Sequence, residues 1–476
     1  MGAAIQLKEM GYDNLLILDR EDDLGGTWHV NRYPGLAVDI PSPTYAYWFE
    51  PNPNWSRLYA PGTELKTYAD DVADKYDVRR HMRFNTVVEG AHWDEDAQVW
   101  RVATADGETL TTRFLVTATG YLSQPYTPEI PGIHDFTGRI MHSTAWDDGY
   151  DFADRHIGLI GTGATGVQLL PVLAKTAADL TVYQRTPIHV VPKIDYPIPA
   201  VIQRLFAKVP LAQRAFRAAN DANLQVMMIL SVLNFRYFKH LNTAAAQLSR
   251  LLRFISIRDA ELRRKLTPDY DFGCKRPTYS NTYYRTFSKP HVHLQSSGIE
   301  RIEADGIVAC DGTKTKIDTL VLATGFDLWE ANIPAIEVIG RDTRNLGKWW
   351  RDNGFQSYQG ITIPYFPNFL TLAGPYASSG LSFFDTVEYQ MRHIKRLFGE
   401  LQRRDASRFE VTEEANAAFR DRMSKSLGKT VFRSGDCSRA RSYYFSPTGE
   451  TLVRPASTRR TNREQDRFPF SDYTFA

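Results

Sequence analysis

Apolar and polar residues at the start of the chain follow first a helical and then a strand period. Residues 3–10 place their apolar side chains on one helical face, and Gly11 follows as a stop signal. Residues 14–18 form an apolar run that ends at Asp19, and the turn-rich residues 25–28 come next. A helix and then a buried strand that ends in an acid are typical of the second half of a βαβ nucleotide-binding unit. The acid binds a ribose hydroxyl in such units.

A second nucleotide-binding unit is complete in the pattern. Residues 157–160 predict a strand, residues 161–166 read GTGATG, residues 167–175 predict a helix, and residues 180–183 predict the next strand. The glycines of a GxGxxG turn allow a tight turn, close approach of the backbone to a pyrophosphate, and close packing of helix on strand. The pattern favours a dinucleotide site over a glycine-rich loop that binds nothing. Its candidate residues are Gly161, Thr162, Gly163, Thr165 and Gly166.

The charge at the end of the next strand selects between the two nicotinamide dinucleotides. An NAD enzyme commonly has an acid there for the ribose diol, whereas this chain has Gln184, Arg185 and Thr186. A guanidinium suits the 2′-phosphate of NADP, and a charge-assisted hydrogen bond of about 1.5–3 kcal/mol gives a roughly tenfold to hundredfold preference. The alternative is a solvated surface arginine. We expect Arg185 and Thr186 to bind NADP.

Two short repeats indicate how the chain divides into domains. Residues 116–120 (VTATG) and 321–325 (VLATG) each follow a β-type run, as where a chain passes from one nucleotide-binding domain to another. The expected fold class is α/β, with two Rossmann-like dinucleotide-binding domains. We expect a first segment of residues 1–132, a middle segment of residues 133–326, and a third segment, residues 327–476, that returns to the first domain and ends in a C-terminal tail.

Residues about 197–266 change character and predict a helical insertion in the middle segment. Basic residues alternate there with apolar ones, and the apolar run 226–233 follows. The insertion could be a helix on a membrane surface, but we prefer a helical subdomain that forms core or pocket wall. The run is much shorter than the ~20 residues that cross a bilayer, so no integral membrane segment is expected.

Composition and charge indicate an ordinary globular protein and argue against a nucleic-acid partner. The chain has 476 residues, of which 43% are hydrophobic and 24% charged, and its net charge is +2. This length predicts two or more domains of an ordinary globular protein. Near-neutral charge removes the main argument for a nucleic-acid partner, and we expect the locally basic segment after Val453 to be a solvated end.

The three cysteines, Cys274, Cys310 and Cys437, lie far apart in the sequence. We expect this spacing to exclude a disulfide scaffold, a CxxC redox pair and a cysteine-based zinc site, so no metal is expected. The cysteine usage fits a reducing, cytoplasmic compartment, and we expect no signal peptide at the start of the chain.

Residues 136–147 read FTGRIMHSTAWD and carry the most specific motif of the chain. They match the FxGxxxHxxxW(P/D) fingerprint at every fixed position, and the chain thereby resembles the Baeyer–Villiger monooxygenases, class B flavoproteins related to the flavin-containing monooxygenases. Residues 25–28, 31–35, 39–42 and 275–277 also look like that family, in the family's order. The fingerprint residues are Phe136, Gly138, His142, Trp146 and Asp147.

The resemblance implies an enzyme that binds FAD and consumes NADPH and O2. NADPH would reduce the flavin, the flavin would capture oxygen as a C4a-peroxide, and one oxygen would be inserted next to a ketone carbonyl to give an ester or lactone. Oxygenation of a sulfide or of nitrogen is the runner-up activity. The first and third segments would bind FAD, and the middle segment would bind NADP. The sequence predicts neither the substrate nor the oligomeric state.

The resemblance also implies roles for single residues. Arg276 corresponds to the family's active-site arginine, which would stabilise the oxygenated flavin anion, and Asp39 to the acid that pairs with it beside the flavin. Lys275 corresponds to the family's lysine for the NADP phosphate and would join Arg185. His142 would help to position NADP and is not expected to be a general base. The residues that match FAD contacts are Asp19, Gly25, Gly26, Thr27, Trp28, Asp39, Tyr45 and Val88.

The sequence departs from the family at its start. The family begins with its own strand and a GxGxxG turn for the FAD pyrophosphate, and neither precedes Gly2 here. Such a strand and turn take about fifteen to twenty residues, and we expect in-frame codons upstream of Met1 to encode them. The alternative is a cofactor-deficient remnant that binds only NADP, or nothing.

Overall fold

The computed structural model describes all 476 residues of the chain. Several helices begin at a side-chain cap, such as Asn345, Ser382 and Thr412, which satisfies a free backbone N–H of the first turn. A single π-helical turn, Ile229–Leu233, joins two of the helices. The helices are α1 Gly2–Glu9, α2 Thr27–Val30, α3 Gly62–Lys75, α4 Ala164–Leu173, α5 Ala200–Lys208, α6 Pro210–Met228, α7 Phe235–Ser256, α8 Ala260–Lys265, α9 Tyr283–Thr286, α10 Leu346–Asn353, α11 Phe383–Arg403, α12 Glu413–Leu427, α13 Val431–Ser434 and α14 Thr458–Gln465.

The strands are short, and most belong to parallel ladders. They are β1 Ile17–Leu18, β2 Met82–Arg83, β3 Val88–Asp94, β4 Val99–Thr104, β5 Thr109–Thr112, β6 Leu115–Thr117, β7 Arg139–His142, β8 His156–Ile160, β9 Asp179–Tyr183, β10 Val190–Val191, β11 Thr278–Tyr279, β12 Val292–Gln295, β13 Ile299–Glu303, β14 Gly306–Ala309, β15 Lys314–Lys316, β16 Thr319–Leu322, β17 Glu337–Ile339, β18 Phe369–Thr371, β19 Phe409–Val411 and β20 Tyr473–Phe475.

Five parallel strands form the sheet of the middle segment, in the order β12–β9–β8–β16–β7. Its strands β9 and β16 are buried along nearly their whole length because both faces of the sheet are covered. Val321 packs into the cluster that contains α4, whereas Leu320 and Leu322 pack against Ile307 of the antiparallel β13–β14–β15 sheet. α4 follows β8 directly after the predicted glycine turn, which is a Rossmann-like arrangement.

The first and third segments contribute strands to smaller sheets. β1 pairs only with β2, and β6 pairs only with β18, each as a two-stranded parallel ladder. A mixed sheet has the order β17–β3–β4–β5. The largest apolar cluster joins the two segments, with Ile5 from α1, Val72 from α3 and Leu397 from α11. The chain therefore has the α/β fold with two nucleotide-binding regions that its sequence predicted.

Helices α5–α8 occupy the predicted helical insertion. Its inner side is buried, since Val232 and Leu233 pack with Phe432 of the third segment. Its outer side is not buried, because Val226 is 58% and Leu251 is 56% exposed. The interpretation as core or pocket wall therefore holds for the inner side only. No helix of the chain combines the length and the apolar character needed to cross a membrane.

The segment after Val453 differs from the solvated end that its basic residues predicted. Arg454 is fully buried, and its guanidinium donates to the side chain of Gln359 and pairs with Glu464. β20, at the very end of the chain, pairs with β19. The prediction was wrong because it was based on charge alone. An arginine can be buried where hydrogen-bond acceptors satisfy its guanidinium. The other arginines of the segment are exposed: Arg459, Arg460, Arg463 and Arg467.

The spacing of the cysteines, which we expected to exclude a disulfide scaffold, does not exclude a single disulfide. Cys274 and Cys437 form a disulfide across 163 residues of sequence, with their Cα atoms 5.1 Å apart. Distance along the chain does not limit which residues meet in the fold, and the Cα separation is ordinary for a disulfide. Cys310 is free and exposed. The bond ties the loop before Arg276 to the third segment.

Candidate active site between two nucleotide-binding regions

The predicted dinucleotide turn is packed closely against the sheet. Gly161 has a φ of +115°, and a Cβ on it would lie 2.2 Å from the carbonyl oxygen of Ala323. A Cβ on Gly166 would lie 2.3 Å from the carbonyl oxygen of Gly161. In contrast, no atom lies within 4 Å of the Cβ position of Gly163, the N-cap of α4. This shape fits a pyrophosphate at the N-terminus of the helix.

A side-chain hydrogen bond joins the glycine turn to the end of the next strand. The Thr162 hydroxyl donates to the carbonyl oxygen of Thr186 at 3.1 Å, and both residues are buried. Thr165 lies in the first turn of α4, beside the hydroxyl of Tyr33. The two segments predicted to bind NADP thus form one continuous edge, and Arg185 is exposed on it.

Arg185 and Lys275 are two neighbouring cations that form no ion pair with an acid. Burial of the Lys275 ammonium and the charge of Arg185 lower the pKa of Lys275 to about 8. A shift of this kind means that the charged form lacks a counterion. Two cations held close together beside the glycine turn fit an added dianion such as a 2′-phosphate.

Asp39 and Arg276 form a bidentate ion pair that connects the first and middle segments. Nε and Nη2 of Arg276 each donate to one carboxylate oxygen of Asp39, both at 2.8 Å. Burial alone would raise the pKa of Asp39, but the Arg276 guanidinium holds that pKa below its usual range. Both side chains are charged and about one quarter exposed, at 27% and 26%. The guanidinium is therefore fixed and still reachable.

The loop that carries Arg276 is restrained on both sides. On one side the disulfide of Cys274 ties it to Cys437, and on the other Thr278 donates its backbone N–H to the His189 carbonyl at 3.0 Å. Nη1 of Arg276 lies 3.5 Å from the carbonyl oxygen of Gly380. A long side chain loses less entropy on binding when its loop is already held in place.

Residues that match FAD contacts lie in two groups, of which the first surrounds Asp19. The Asp19 carboxylate accepts from the backbone N–H of Glu21 at 3.1 Å and forms no ion pair. Burial raises the pKa of Asp19 and lowers the pKa of the Met1 amine near it. Val88 on β3 packs in the same apolar cluster as Leu18, which directly precedes Asp19. A carboxylate with free acceptor sites fits the hydroxyls of a ribose.

The second group lies beside the ion pair. Gly25 and Gly26 lead into the short helix α2, which begins at Thr27. Nε1 of Trp28 donates to the Tyr45 hydroxyl at 3.3 Å, and the two rings meet edge to face with centroids 5.7 Å apart. Burial raises the pKa of Tyr45 to about 12, so its hydroxyl stays protonated. These aromatic rings form a firm wall next to Asp39 and Arg276.

The fingerprint residues are packed rather than open. Trp146 is buried and stacks on Phe152 with centroids 5.2 Å apart, and Phe136 is buried as well. A Cβ on Gly138 would lie 2.3 Å from the carbonyl oxygen of Asp318. Asp147 accepts from Arg139 at 2.8 Å. The motif therefore joins β7 tightly to β16.

Among the fingerprint residues, His142 has a buried side-chain atom without a hydrogen-bond partner. Nδ1 lies 2.8 Å from the Thr144 hydroxyl, whereas the buried Nε2 has no hydrogen-bond partner. Burial lowers the pKa of His142, so the ring is neutral at pH 7. A neutral imidazole with one free nitrogen fits a hydrogen-bonding role toward a bound nucleotide.

Sequence reasoning missed several neighbours of Arg276. Tyr443 and Tyr444 lie close enough for their hydroxyls to affect the guanidinium. A Cβ on Gly380 would lie 2.9 Å from Cε of Met228 and 3.8 Å from the Tyr444 hydroxyl, so these residues meet in one place. They come from the insertion and from two parts of the third segment. No spacing in the sequence signals such a meeting.

Sequence comparisons agree with the geometry of the site. A family model described as pyridine nucleotide-disulphide oxidoreductase matches residues 1–226. A Baeyer–Villiger monooxygenase of Streptomyces coelicolor is 34% identical, with 99% of this chain and 90% of the relative covered. A Baeyer–Villiger monooxygenase of Pseudomonas aeruginosa is 33% identical, with 94% and 83% covered. Phenazine N-monooxygenase PhzNO1 of Lysobacter antibioticus is 30% identical, with 87% and 83% covered.

Solved structures give the same result. The open crystal structure of a cyclohexanone monooxygenase superposes with a TM-score of 0.85 at 27% identity, covering 100% of this chain and 96% of that one. A crystal structure of OTEMO in complex with FAD and NADP superposes with a TM-score of 0.88 at 27% identity, covering 100% and 97%. With the fingerprint, the two nucleotide-binding regions and the Asp39–Arg276 pair in place, the chain belongs to the Baeyer–Villiger monooxygenase family.

Proposed function

We propose that this protein is an FAD-dependent monooxygenase that consumes NADPH and O2 and inserts one oxygen atom next to a ketone carbonyl, giving an ester or a lactone. The observation that carries the proposal is the bidentate contact of Arg276 with Asp39 at 2.8 Å, at the junction of the two nucleotide-binding regions. The flavin supplies the oxygen chemistry when it is bound. The chain supplies binding, orientation and charge.

Arg276 stabilises negative charge that develops on oxygen during the reaction. A permanent cation about 4 Å from such a charge contributes about 4 kcal/mol at an effective dielectric near 20. Asp39 fixes the direction of the guanidinium through Nε and Nη2 and leaves Nη1 to point elsewhere, toward Gly380. Met228, Tyr443 and Tyr444 surround that side, so we infer that the organic substrate enters there.

The middle segment binds NADPH in this proposal. The glycine turn 161–166 holds the pyrophosphate, and the unpaired cations Arg185 and Lys275 hold the 2′-phosphate. The single free nitrogen of His142 helps to orient the nucleotide. The first and third segments bind FAD, with Asp19 on the ribose and the Trp28–Tyr45 wall at the ring end.

The proposal is tested by replacing Arg276 with Ala and following NADPH consumption and product mass together over a panel of ketones. We expect ester formation to fall by about 100-fold to 1,000-fold, which is the usual loss when one charge-stabilising donor is removed. Arg285→Ala is the matched control, since Arg285 is exposed, lies nine residues further along the chain and forms no ion pair. Unchanged ester formation in Arg276→Ala would refute the assigned role.

Oxygenation of a heteroatom is a second candidate, which the relative described as a phenazine N-monooxygenase favours. Sulfides and aromatic N-heterocycles therefore belong in the same panel. Exclusive formation of sulfoxides or N-oxides, with no ester from any ketone, would replace the first candidate by the second. A colourless preparation that FAD cannot reconstitute would indicate the cofactor-deficient remnant instead. We also propose a cytoplasmic location for the protein. The Cys274–Cys437 disulfide argues against that location, and alkylation of thiols in intact cells tests whether the disulfide is present there.

A further inference from the structure

Large apolar side chains are exposed mainly on the helical insertion. Of the 21 large hydrophobic residues that are exposed in the chain, 12 lie within residues 201–255. Large apolar residues scattered singly over a surface need no explanation, but a concentration on one subdomain indicates an interaction surface. The proposed oxygenation reaction does not use these side chains.

The most regular part of this surface is a stripe along α7. Leu241, Leu248, Leu251 and Ile255 are 37%, 47%, 56% and 64% exposed, and their spacing places them on one face of the helix. We call these four residues the outer stripe. They extend over about 21 Å of helix at 1.5 Å per residue. A different face of α7 is already buried and carries Asn242, Ser249, Leu252 and Ser256. The outer stripe is therefore additional to the face that packs on the protein.

The insertion is also strongly basic. Residues 200–265 contain 12 Lys and Arg but only three Asp and Glu, so their net charge is +9, whereas the rest of the chain carries −7. Arg236, Lys239 and Arg250 are exposed on α7, and Arg258 is exposed just after its end. The insertion therefore combines an exposed apolar stripe with exposed cations elsewhere on its surface, which suits an interface that is apolar inside and anionic outside.

We propose that the outer stripe of α7 binds the surface of an anionic lipid bilayer, with the helix lying in the plane of the interface. Lying on the surface is consistent with the absence of a helix able to cross a membrane. A second copy of the chain fits less well, because joining two insertions would bring together two charges of +9. This proposal is independent of the oxygenation reaction.

Vesicle flotation of the FAD-loaded protein tests the proposal. We expect the protein to float with phosphatidylcholine vesicles that contain about 30 mol% phosphatidylglycerol, and to bind pure phosphatidylcholine at least about tenfold less. Raising NaCl from about 0.05 M to about 0.5 M shortens the Debye length and should release most of the protein.

Two variants locate the contact. Leu251→Glu puts a charge into the outer stripe and should weaken vesicle binding by about tenfold or more. Val87→Glu is the matched control, since Val87 is 48% exposed but lies in the first segment; we expect less than about a twofold change, because it leaves the stripe intact. Circular dichroism melting confirms that each variant is folded.

Three results would overturn the proposal. One is equal binding to neutral and anionic vesicles, or no binding to either. Another is vesicle binding that Leu251→Glu leaves unchanged. The third is self-association without vesicle binding: the protein would form oligomers in sedimentation velocity, and Leu251→Glu would convert them to monomers. The stripe would then be a contact between copies of the chain.

Discussion

The middle segment and the first segment hold their nucleotide-binding residues in different ways. In the middle segment one continuous sheet runs through β12–β9–β8–β16–β7, and its backbone fixes the glycine turn through the carbonyl of Ala323. In the first segment β1 has a single partner, and the candidate residues are fixed by side-chain contacts such as Trp28 with Tyr45. The proposed NADP region therefore depends on backbone geometry, and the proposed FAD region depends on side-chain packing.

The two regions also contact each other away from the Asp39–Arg276 pair. Besides the Asp39–Arg276 pair, Gln168 of α4 donates to the Ala37 carbonyl and accepts from the Tyr33 hydroxyl, both at 2.9 Å. Each contact takes one residue from either side.

The largest expected effect is on the backbone-held turn. Gly161→Val forces a side chain into the Ala323 carbonyl at a positive φ, so we expect a loss of about 3 kcal/mol or more in the free energy of unfolding. Gly163→Ala is the control, because its Cβ meets no atom, and its unfolding free energy should change by less than about 0.5 kcal/mol. Denaturant unfolding measures both. Equal losses would show that backbone contact is not what fixes this turn.

Breaking the contact between the regions should be the next largest effect. Asp39→Asn leaves the Arg276 guanidinium without the carboxylate that fixes its direction, so we expect ester formation to fall by about 100-fold, the lower end of the usual loss when charge stabilisation is removed. The rate of flavin reduction by NADPH should change much less, because the proposed NADPH site lies in the middle segment. Stopped-flow reduction and steady-state product formation separate these steps. A parallel loss in both would contradict the assignment of Asp39 to the oxygenation step.

Removing one of the two cations should reduce the selectivity for NADPH over NADH. Lys275→Gln removes one of the two charges that fit the 2′-phosphate, so we expect the KM for NADPH to rise by about tenfold to hundredfold. The KM for NADH should stay within about twofold, since NADH has no such phosphate. Arg185→Gln should behave in the same way. A similar rise for both nucleotides would assign Lys275 to a general structural role.

The smallest effect concerns pH. The pKa of Lys275 is lowered to about 8 in the free protein, so its positive charge is present below pH 7 and is lost as the pH rises through 8. NADPH should bind a few times more weakly at pH 9 than at pH 7, and NADH should show no such trend. Lys275→Arg keeps its charge over this range and should abolish the dependence. Titration of nucleotide binding by fluorescence measures it.

Much of the middle segment could be predicted from the sequence because its elements are local. The strand, the GTGATG turn and the helix lie within residues 157–175, and each piece is set by nearby residues. The fingerprint residues were found from fixed spacing in the same way. The Asp39–Arg276 pair spans 237 residues and followed only from the family resemblance.

Features that depend on distant contacts could not be predicted in this way. The burial of Arg454 requires Gln359 and Glu464, and the disulfide requires Cys274 and Cys437 to meet across the fold. The exposed stripe of α7 could not be predicted either, because an apolar period alone does not show which face of a helix is buried against the protein. Periodicity predicts that an element forms, whereas its neighbours decide what each face contacts.

The central claim is that Arg276, held by Asp39, directs an oxygen atom from O2 into an organic substrate at the expense of NADPH. The direct measurement is the ratio of 18O-labelled product to NADPH consumed under 18O2, in the FAD-loaded wild type and in Arg276→Ala. The account predicts close to one labelled product per NADPH in the wild type, and NADPH consumption with almost no labelled product in the variant. Labelled product at an undiminished ratio in Arg276→Ala, or none in the wild type with any ketone, would contradict it.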